Sequence, residues 1–228
     1  MGTVIKLIRD RTKLGLLSSF SSSATPFSFG KALSFDGVDD YFTLNTALNT
    51  IAFTVSIWFK LPSNYSNSRV ISGVSLTQWL EIRTGGIIHI RNDAQGITFN
   101  NATLLANTWY HLYIGRNSSG NARVFLNGTE SSSGTQNVGG TCEYLYLGTQ
   151  GTFQFYNVIV DDVLLTSSYG NPDTEATALY NGGNGVDPLT IIPTAQQLYR
   201  LNENGNNDGS LGGSGTLNNF IADPYVNH

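Results

Sequence analysis

The sequence predicts an all-β fold: an antiparallel β-sandwich with one short helix and an extended N-terminal arm. Three observations point there. Apolar and polar residues alternate in short runs such as Phe53-Thr-Val-Ser-Ile-Trp-Phe-Lys60, the period of a strand with a buried face. Gly, Asn and Ser turns separate these runs, and no helices alternate with them, which argues against a parallel sheet. At 228 residues and 40% hydrophobic content, the chain can build one large sandwich core.

Residues 1–25 read as a basic docking arm and a Ser-rich linker, closed by Pro26. Lys6, Arg9, Arg11 and Lys13 against Asp10 give the first 13 residues a charge of +3. The remainder carries 8 basic and 15 acidic residues, or −7. This asymmetry marks an interaction tail. Val4, Ile5, Leu7 and Ile8 interleave with the cations, a pattern suited to adding a strand to a partner's sheet edge.

Residues 26–228 read as the sandwich. Strands are expected at 31–35, 41–44, 53–61, 69–75, 79–84, 86–92, 109–116, 122–127, 144–148 and 153–165. Gly85-Gly86 and Asn127-Gly128 are tight-turn signals, the second suited to a type I′ hairpin. A helix is expected over 172–181. Pro172 suits its first position, with Asn171 or Ser168 as cap, Asp173 and Glu175 fit its first turn, and Gly182-Gly183 ends it.

Only 12% of residues are charged, about half the usual share, and the net charge is −4. Such a surface suits packing among neighbours, homo-oligomer contacts included, or touching neutral glycans, and speaks against nucleic-acid binding. Leu14-Gly-Leu-Leu17 is too short for a signal-peptide core of about 7–15 residues, so synthesis in the cytoplasm without Sec export is expected. No run reaches transmembrane length, so membrane insertion is not expected. Cys142 is the only cysteine and reads as a small buried hydrophobe.

Three motifs in order carry a family resemblance. Ala32-Leu-Ser-Phe-Asp-Gly-Val-Asp-Asp-Tyr-Phe-Thr-Leu44, with the strand at 53–60, resembles the opening of the laminin-G-like branch of the concanavalin A-like lectin/glucanase superfamily. Trp109-Tyr-His-Leu-Tyr-Ile-Gly through Val124-Phe-Leu-Asn-Gly128 is similar to its central hairpin. Phe153-Gln-Phe-Tyr-Asn-Val-Ile-Val-Asp-Asp-Val-Leu-Leu165 is similar to its late strand. The resemblance covers roughly residues 31–182 and implies a concanavalin A-like jelly roll. Gln197–Gly209 and Gly215–Phe220 look like a phrase that precedes such domains in relatives, here placed after it. They either close the same sandwich or remain from a tandem arrangement. Tyr180-Asn-Gly-Gly-Asn-Gly185 and this tail are similar to bacteriophage virion members of the family.

The family's glucanases carry an E-x-D-x-E strand, and this chain has none. Glu81, Glu130, Glu143, Glu175 and Glu203 are isolated in sequence, so no enzyme is expected. Asp36, Asp39 and Asp40 in one turn, with Asp161 and Asp162 on the strand expected beside it, offer hard oxygens suited to Ca²⁺. The competing reading is that these aspartates accept turn N–H bonds. Tyr65, Trp79 and Tyr169 lie in or near turn-rich stretches and are the candidate glycan contacts, whereas Trp58 and Trp109 read as core.

These signals together predict a non-enzymatic structural protein of the virion surface, a capsid-decoration, head-fibre or tail protein. Its arm would dock on a capsid or other virion protein. The alternative is a carbohydrate-binding or adhesion module, with calcium as an optional structural ion and a host-surface glycan as partner.

Overall fold

The computed structural model describes residues 29–63, 65, 67–75, 77–92, 95–137, 139–151, 154–220 and 223–228. The expected docking residues Lys6, Arg9, Arg11 and Lys13 lie outside the described residues.

The strands run in chain order as follows. First come β1 (Lys31–Asp36), β2 (Tyr41–Thr50), β3 (Phe53–Lys60), β4 (Asn67–Ser72), β5 (Trp79–Arg83) and β6 (Ile87–Asn92). Next are β7 (Gln95–Asn100), β8 (Trp109–Arg116), β9 (Asn121–Leu126), β10 (Thr129–Glu130), β11 (Gln136–Asn137) and β12 (Cys142–Leu147). Then β13 (Thr149–Gln150), β14 (Gln154–Phe155) and β15 (Asn157–Thr166) lead to helices α1 (Pro172–Tyr180) and α2 (Pro188–Ile191). The described chain closes with β16 (Gln197–Tyr199), β17 (Thr216–Asn218) and β18 (Tyr225–Asn227).

Two antiparallel sheets form the sandwich. The first has the order β10-β9-β8-β3-β15-β1-β18, with β11 beside β9 and β16 beside β15. The second has the order β17-β2-β12-β4-β5-β6-β7, and β13 and β14 form a separate small hairpin. The last third of the chain feeds both layers: β16 pairs with β15, β17 with β2 and β18 with β1. Of the two sequence-based readings of that segment, closure of the same sandwich is the observed one.

Period-two alternation explains the core. Val55, Ile57 and Phe59 face inward, with Leu33, Phe35, Phe42, Val70, Ile82, Leu112 and Val160 among the residues around them. Each such side chain contributes roughly 1.5–3 kcal/mol by leaving water. Yet β3 is buried from Phe53 to Phe59, so its other face is covered as well. There a second cluster joins Tyr113, Phe125 and Leu164 to Ala176 and Leu179 of α1 and to Leu198. Cys142 is fully buried in the main core, as its setting implied.

The helix begins at Pro172 as expected, but its cap differs. Asn171 makes no side-chain cap bond. Instead the Glu175 carboxylate accepts the Asn171 backbone N–H at 3.0 Å and the Tyr113 hydroxyl at 2.6 Å, which ties the helix start to β8. Asn181 ends the helix in the left-handed region at φ 47°. The Asn127-Gly128 turn joins β9 to β10 with φ of 50° and 72°, the signs a type I′ turn requires.

Gly148, at φ 75° after β12, tests the packing between layers. A Cβ there would lie 2.5 Å from the ring of the fully buried Phe35. Gly148→Ala is expected to lower unfolding free energy by about 1–3 kcal/mol or more, because left-handed strain and steric overlap act together. An unchanged urea midpoint would refute this.

Candidate functional site

The most developed site lies where β1 turns into β2. Gly37 has φ 81°, and a Cβ there would come within 2.8 Å of the Asn157 backbone nitrogen, so the turn packs against the start of β15 only with glycine. That packing agrees with the register, which sets Asp36 opposite Asn157. The turn gathers Asp36, Asp39 and Asp40, which offer one carboxylate oxygen each within 4.8 Å of one another.

Two of these carboxylates also serve the turn. Asp36 accepts the Val38 N–H at 2.7 Å, and Asp40 accepts the Asp36 N–H at 3.1 Å. Burial pushes the Asp40 carboxyl above its ordinary value. The turn-bonding reading therefore holds for both residues. The donor set still fits Ca²⁺: ligands about 2.3–2.6 Å from one ion lie at most about 5 Å apart, and three hard oxygens supply part of the usual 6–8.

Beside the turn is a cleft of about 430 Å³. Tyr65, Phe155 and Tyr156 line it with half-buried rings, and Asp36, Asn67 and Asn157 add polar groups. The phenol of Tyr65 is pushed above its usual value by burial and by nearby Tyr110. An aromatic strip continues from the cleft over the outer face of the second sheet. The ring of Tyr41 lies 6.1 Å from Phe155 and 6.0 Å from Tyr146. A smaller cavity of about 260 Å³ on the other side of Asp36 is lined by Asp40, Phe220, Asp223 and Pro224.

The sequence-derived candidates do not form one site. Tyr65 joins the cleft beside the acidic turn. Trp79 is 5% exposed on β5, and the guanidinium groups of Arg69 and Arg91 cover its ring at 3.9 and 4.7 Å. Tyr169 is 37% exposed and packs near Gly115 on the outer face of the first sheet. Asp161 and Asp162 do not belong to the Asp36, Asp39 and Asp40 cluster. They are almost fully buried at a β-bulge in β15, where Asp162 has φ 43°.

Asp161 instead sits in an aromatic cluster on the outer face of the first sheet. Register places it opposite Trp58, which is opposite His111. The Asp161 carboxyl meets His228 Nδ1 at 2.6 Å, and the His228 ring is stacked between Phe29 and Trp109 at 3.7 and 3.8 Å. Burial pushes the Asp161 carboxyl up, and burial with Lys60 pushes His228 down to about 4. Opposite charges at 2.6 Å would move both the other way. Desolvation outweighs that attraction for both groups here. Trp58 is thus buried, but outside the inter-sheet core, and Trp109 is half-buried.

A polar group unseen in the sequence lies on the outer face of the second sheet. Glu81 receives Arg83 Nε at 2.6 Å and lies 3.4 Å from both Arg69 Nε and His89 Nδ1. Burial opposes ionisation, but the His89 and Arg83 hydrogen bonds and the adjacent guanidinium charges hold Glu81 down at about 2. Glu81 and Arg83 share one face of β5, and the β4-β5-β6 register sets Arg69 and His89 on either side of Glu81.

An antiparallel sandwich whose opening turn carries clustered aspartates beside an aromatic cleft defines a lectin-like architecture. The sequence profile of the concanavalin A-like lectin/glucanases superfamily matches residues 36–173, more than half of the chain, and the protein belongs to that superfamily. No curated protein matches the chain. Among solved structures, a candidate carbohydrate-binding protein from Bacteroides ovatus aligns with a TM-score of 0.61 at 17% identity. That alignment covers 86% of this chain and 62% of the Bacteroides chain, so less than two-thirds of that protein is spanned. The heptameric SAP-like pentraxin of Limulus polyphemus aligns with a TM-score of 0.54 at 14% identity, over 67% of this chain and 82% of the pentraxin. At these identities the likeness is one of fold. Among the described residues, no helix is long and apolar enough to cross a membrane.

Proposed function

We propose that this protein is a non-catalytic carbohydrate-binding module that receives sugar in the cleft beside Asp36, with Ca²⁺ as a structural ion in the acidic turn. The observation that carries this reading is the cleft itself: Tyr65, Phe155 and Tyr156 present ring surface, and Asn67, Asn157 and Asp36 present hydrogen-bonding groups. Sugars offer C–H faces and hydroxyl edges together, and a cleft that sets ring surface beside hydrogen-bonding groups suits such a ligand. Membership in a lectin-containing superfamily and the fold shared with the Bacteroides protein support it.

Catalysis is not part of the proposal. Glycoside hydrolysis needs two carboxyls facing an open groove at about 5–9.5 Å. Glu81 is 4% exposed beneath basic side chains, and Asp161 and Asp162 are 1% and 3% exposed, so none of these three faces a groove.

A glycan array with and without chelator tests the function. Wild-type protein is expected to bind at least one glycan class, and Tyr65→Ala to weaken it roughly tenfold or more, the scale of an aromatic anchor. Calcium is expected to raise the thermal midpoint, and a chelator to reverse that. Absence of glycan binding overturns the module reading, and a calcium-independent midpoint overturns the ion.

A second reading, display on a virus particle as a capsid or tail component, is favoured by the +3 charge of residues 1–13. Deleting residues 1–17 is then expected to abolish particle incorporation while the sandwich stays folded. Normal incorporation would defeat it.

A further inference from the structure

A second cleft, of about 480 Å³, shares no lining residue with the cleft beside the acidic turn and lies between the segment following β7 and the β9–β10 turn. Its lining combines Asn100, Asn127, Thr103 and Thr129 with Leu105 and Tyr110. We propose that this second cleft is a calcium-independent subsite for a neutral sugar ring, an inference that rests on the carbohydrate-binding reading above.

The chemistry of the walls selects the ligand. Asn127 accepts the His111 N–H on its Oδ1 at 2.8 Å, which fixes the amide and leaves Nδ2 as a donor with no hydrogen-bond partner among the described residues. Asn101 donates Nδ2 to the Gly86 and Phe99 carbonyls, each at 3.3 Å, and leaves Oδ1 as an acceptor. The side chains of Asn100, Thr103 and Thr129 make no hydrogen bond to the described residues, and all three are exposed. The cleft thus offers donors and acceptors together, which suits hydroxyl groups because each one both gives and accepts.

Charge is absent from this set in any available form. Glu130 is the one ionisable carboxylate among the lining residues, and Arg123 holds it with two bonds of 2.6 Å. Arg123 is in turn shared with Asp173 at 2.7 Å. An anionic ligand would find no free cation among the lining residues, and a cation would meet a carboxylate already neutralised. Leu105, 66% exposed, and the half-buried Tyr110 supply an apolar wall for the C–H face of a ring. Tyr110 is anchored by accepting the Leu105 N–H at 2.8 Å and stacks on Phe59.

Amide chemical-shift mapping tests the assignment. Methyl glycosides of glucose, galactose, mannose, xylose and arabinose are titrated into ¹⁵N-labelled full chain with chelator present, with glucuronate as the anionic control. At least one neutral glycoside is expected to shift resonances of residues 100–105 and 126–132. The double variant Asn100→Ala/Thr129→Val is expected to weaken that response tenfold or more. Its altered side chains have no partner among the described residues, so an otherwise unchanged amide spectrum is expected. Shifts confined to residues 36–40, 65 and 155–157 overturn this subsite and leave the proposed function intact. Shifts at neither cleft, with no glycan bound on the array, overturn both. A stronger response to glucuronate, or a double variant that binds like wild type, also overturns the subsite.

Discussion

Trp58→Ala is expected to lower the unfolding free energy by about 3–5 kcal/mol, the range for losing a large aromatic side chain from a packed site. Trp58 is 5% exposed although it points away from the inter-sheet core. Its ring meets Phe29 edge-on at 4.9 Å, His111 at 5.1 Å, His228 at 5.6 Å and Tyr180 at 6.0 Å. Truncation therefore opens a cavity among four rings that come from distant parts of the chain. It also exposes the Asp161–His228 pair to water. Urea unfolding with Trp58→Phe as a partial replacement checks this. A loss below about 1 kcal/mol for the alanine variant would show that the outer cluster adds little to the fold.

Stability is expected to be nearly flat between about pH 4 and 6.5 and to decline on both sides. His111 is fully buried and its imidazole is pushed down to about 3, from an ordinary 6.5. His228 is pushed down to about 4 from the same value. Below 6.5 the unfolded chain takes up protons that these folded histidines refuse, so both contribute stability that is lost as pH falls. Glu81, held at about 2 against an ordinary 4.5, acts in the same sense at lower pH. Asp161 and Asp162 act oppositely. Burial raises both carboxyls above 3.8, so the folded state keeps protons that the unfolded chain releases. Their contribution is complete below 3.8 and disappears as pH rises through the folded values. Two opposing pairs roughly cancel between about 4 and 6.5, and above 6.5 only the aspartates remain. Asp161→Asn, which keeps an oxygen for the Asp162 N–H and presents its amide NH2 to His228 Nδ1, is expected to reduce the decline from pH 6.5 to 8. Stability that climbs over that interval in the wild-type protein would refute the assignment.

Local signals carried much of the fold. Alternation in residues 53–60 matches β3, the Asn-Gly pair matches the β9–β10 turn, and Pro172 marks the start of α1. β7 was not foreseen, because Gln95-Gly-Ile-Thr-Phe-Asn100 buries only Phe99 and alternates weakly. At the site, the acidic turn and Tyr65 were readable because short-range turn chemistry defines both. Phe155 and Tyr156 were read as ordinary strand residues. Their role depends on β15 beginning only at Asn157, which sets them at the mouth of the cleft. Trp79 was read as an open platform, and what closes it is set by pairing: β4 and β6 bring Arg69 and Arg91 over the ring. Asp161 and Asp162 were visible as adjacent acids, but the bulge that buries them is a property of the β3–β15 register.

The pairing of Lys31 with Asn227 sets the first and last of the described strands side by side. A body entered and left at neighbouring points behaves like a bead on a single stalk. It can be spliced into a surface loop of another protein, or permuted by joining those points and reopening the chain at an exposed turn such as 118–119, with both layers kept whole.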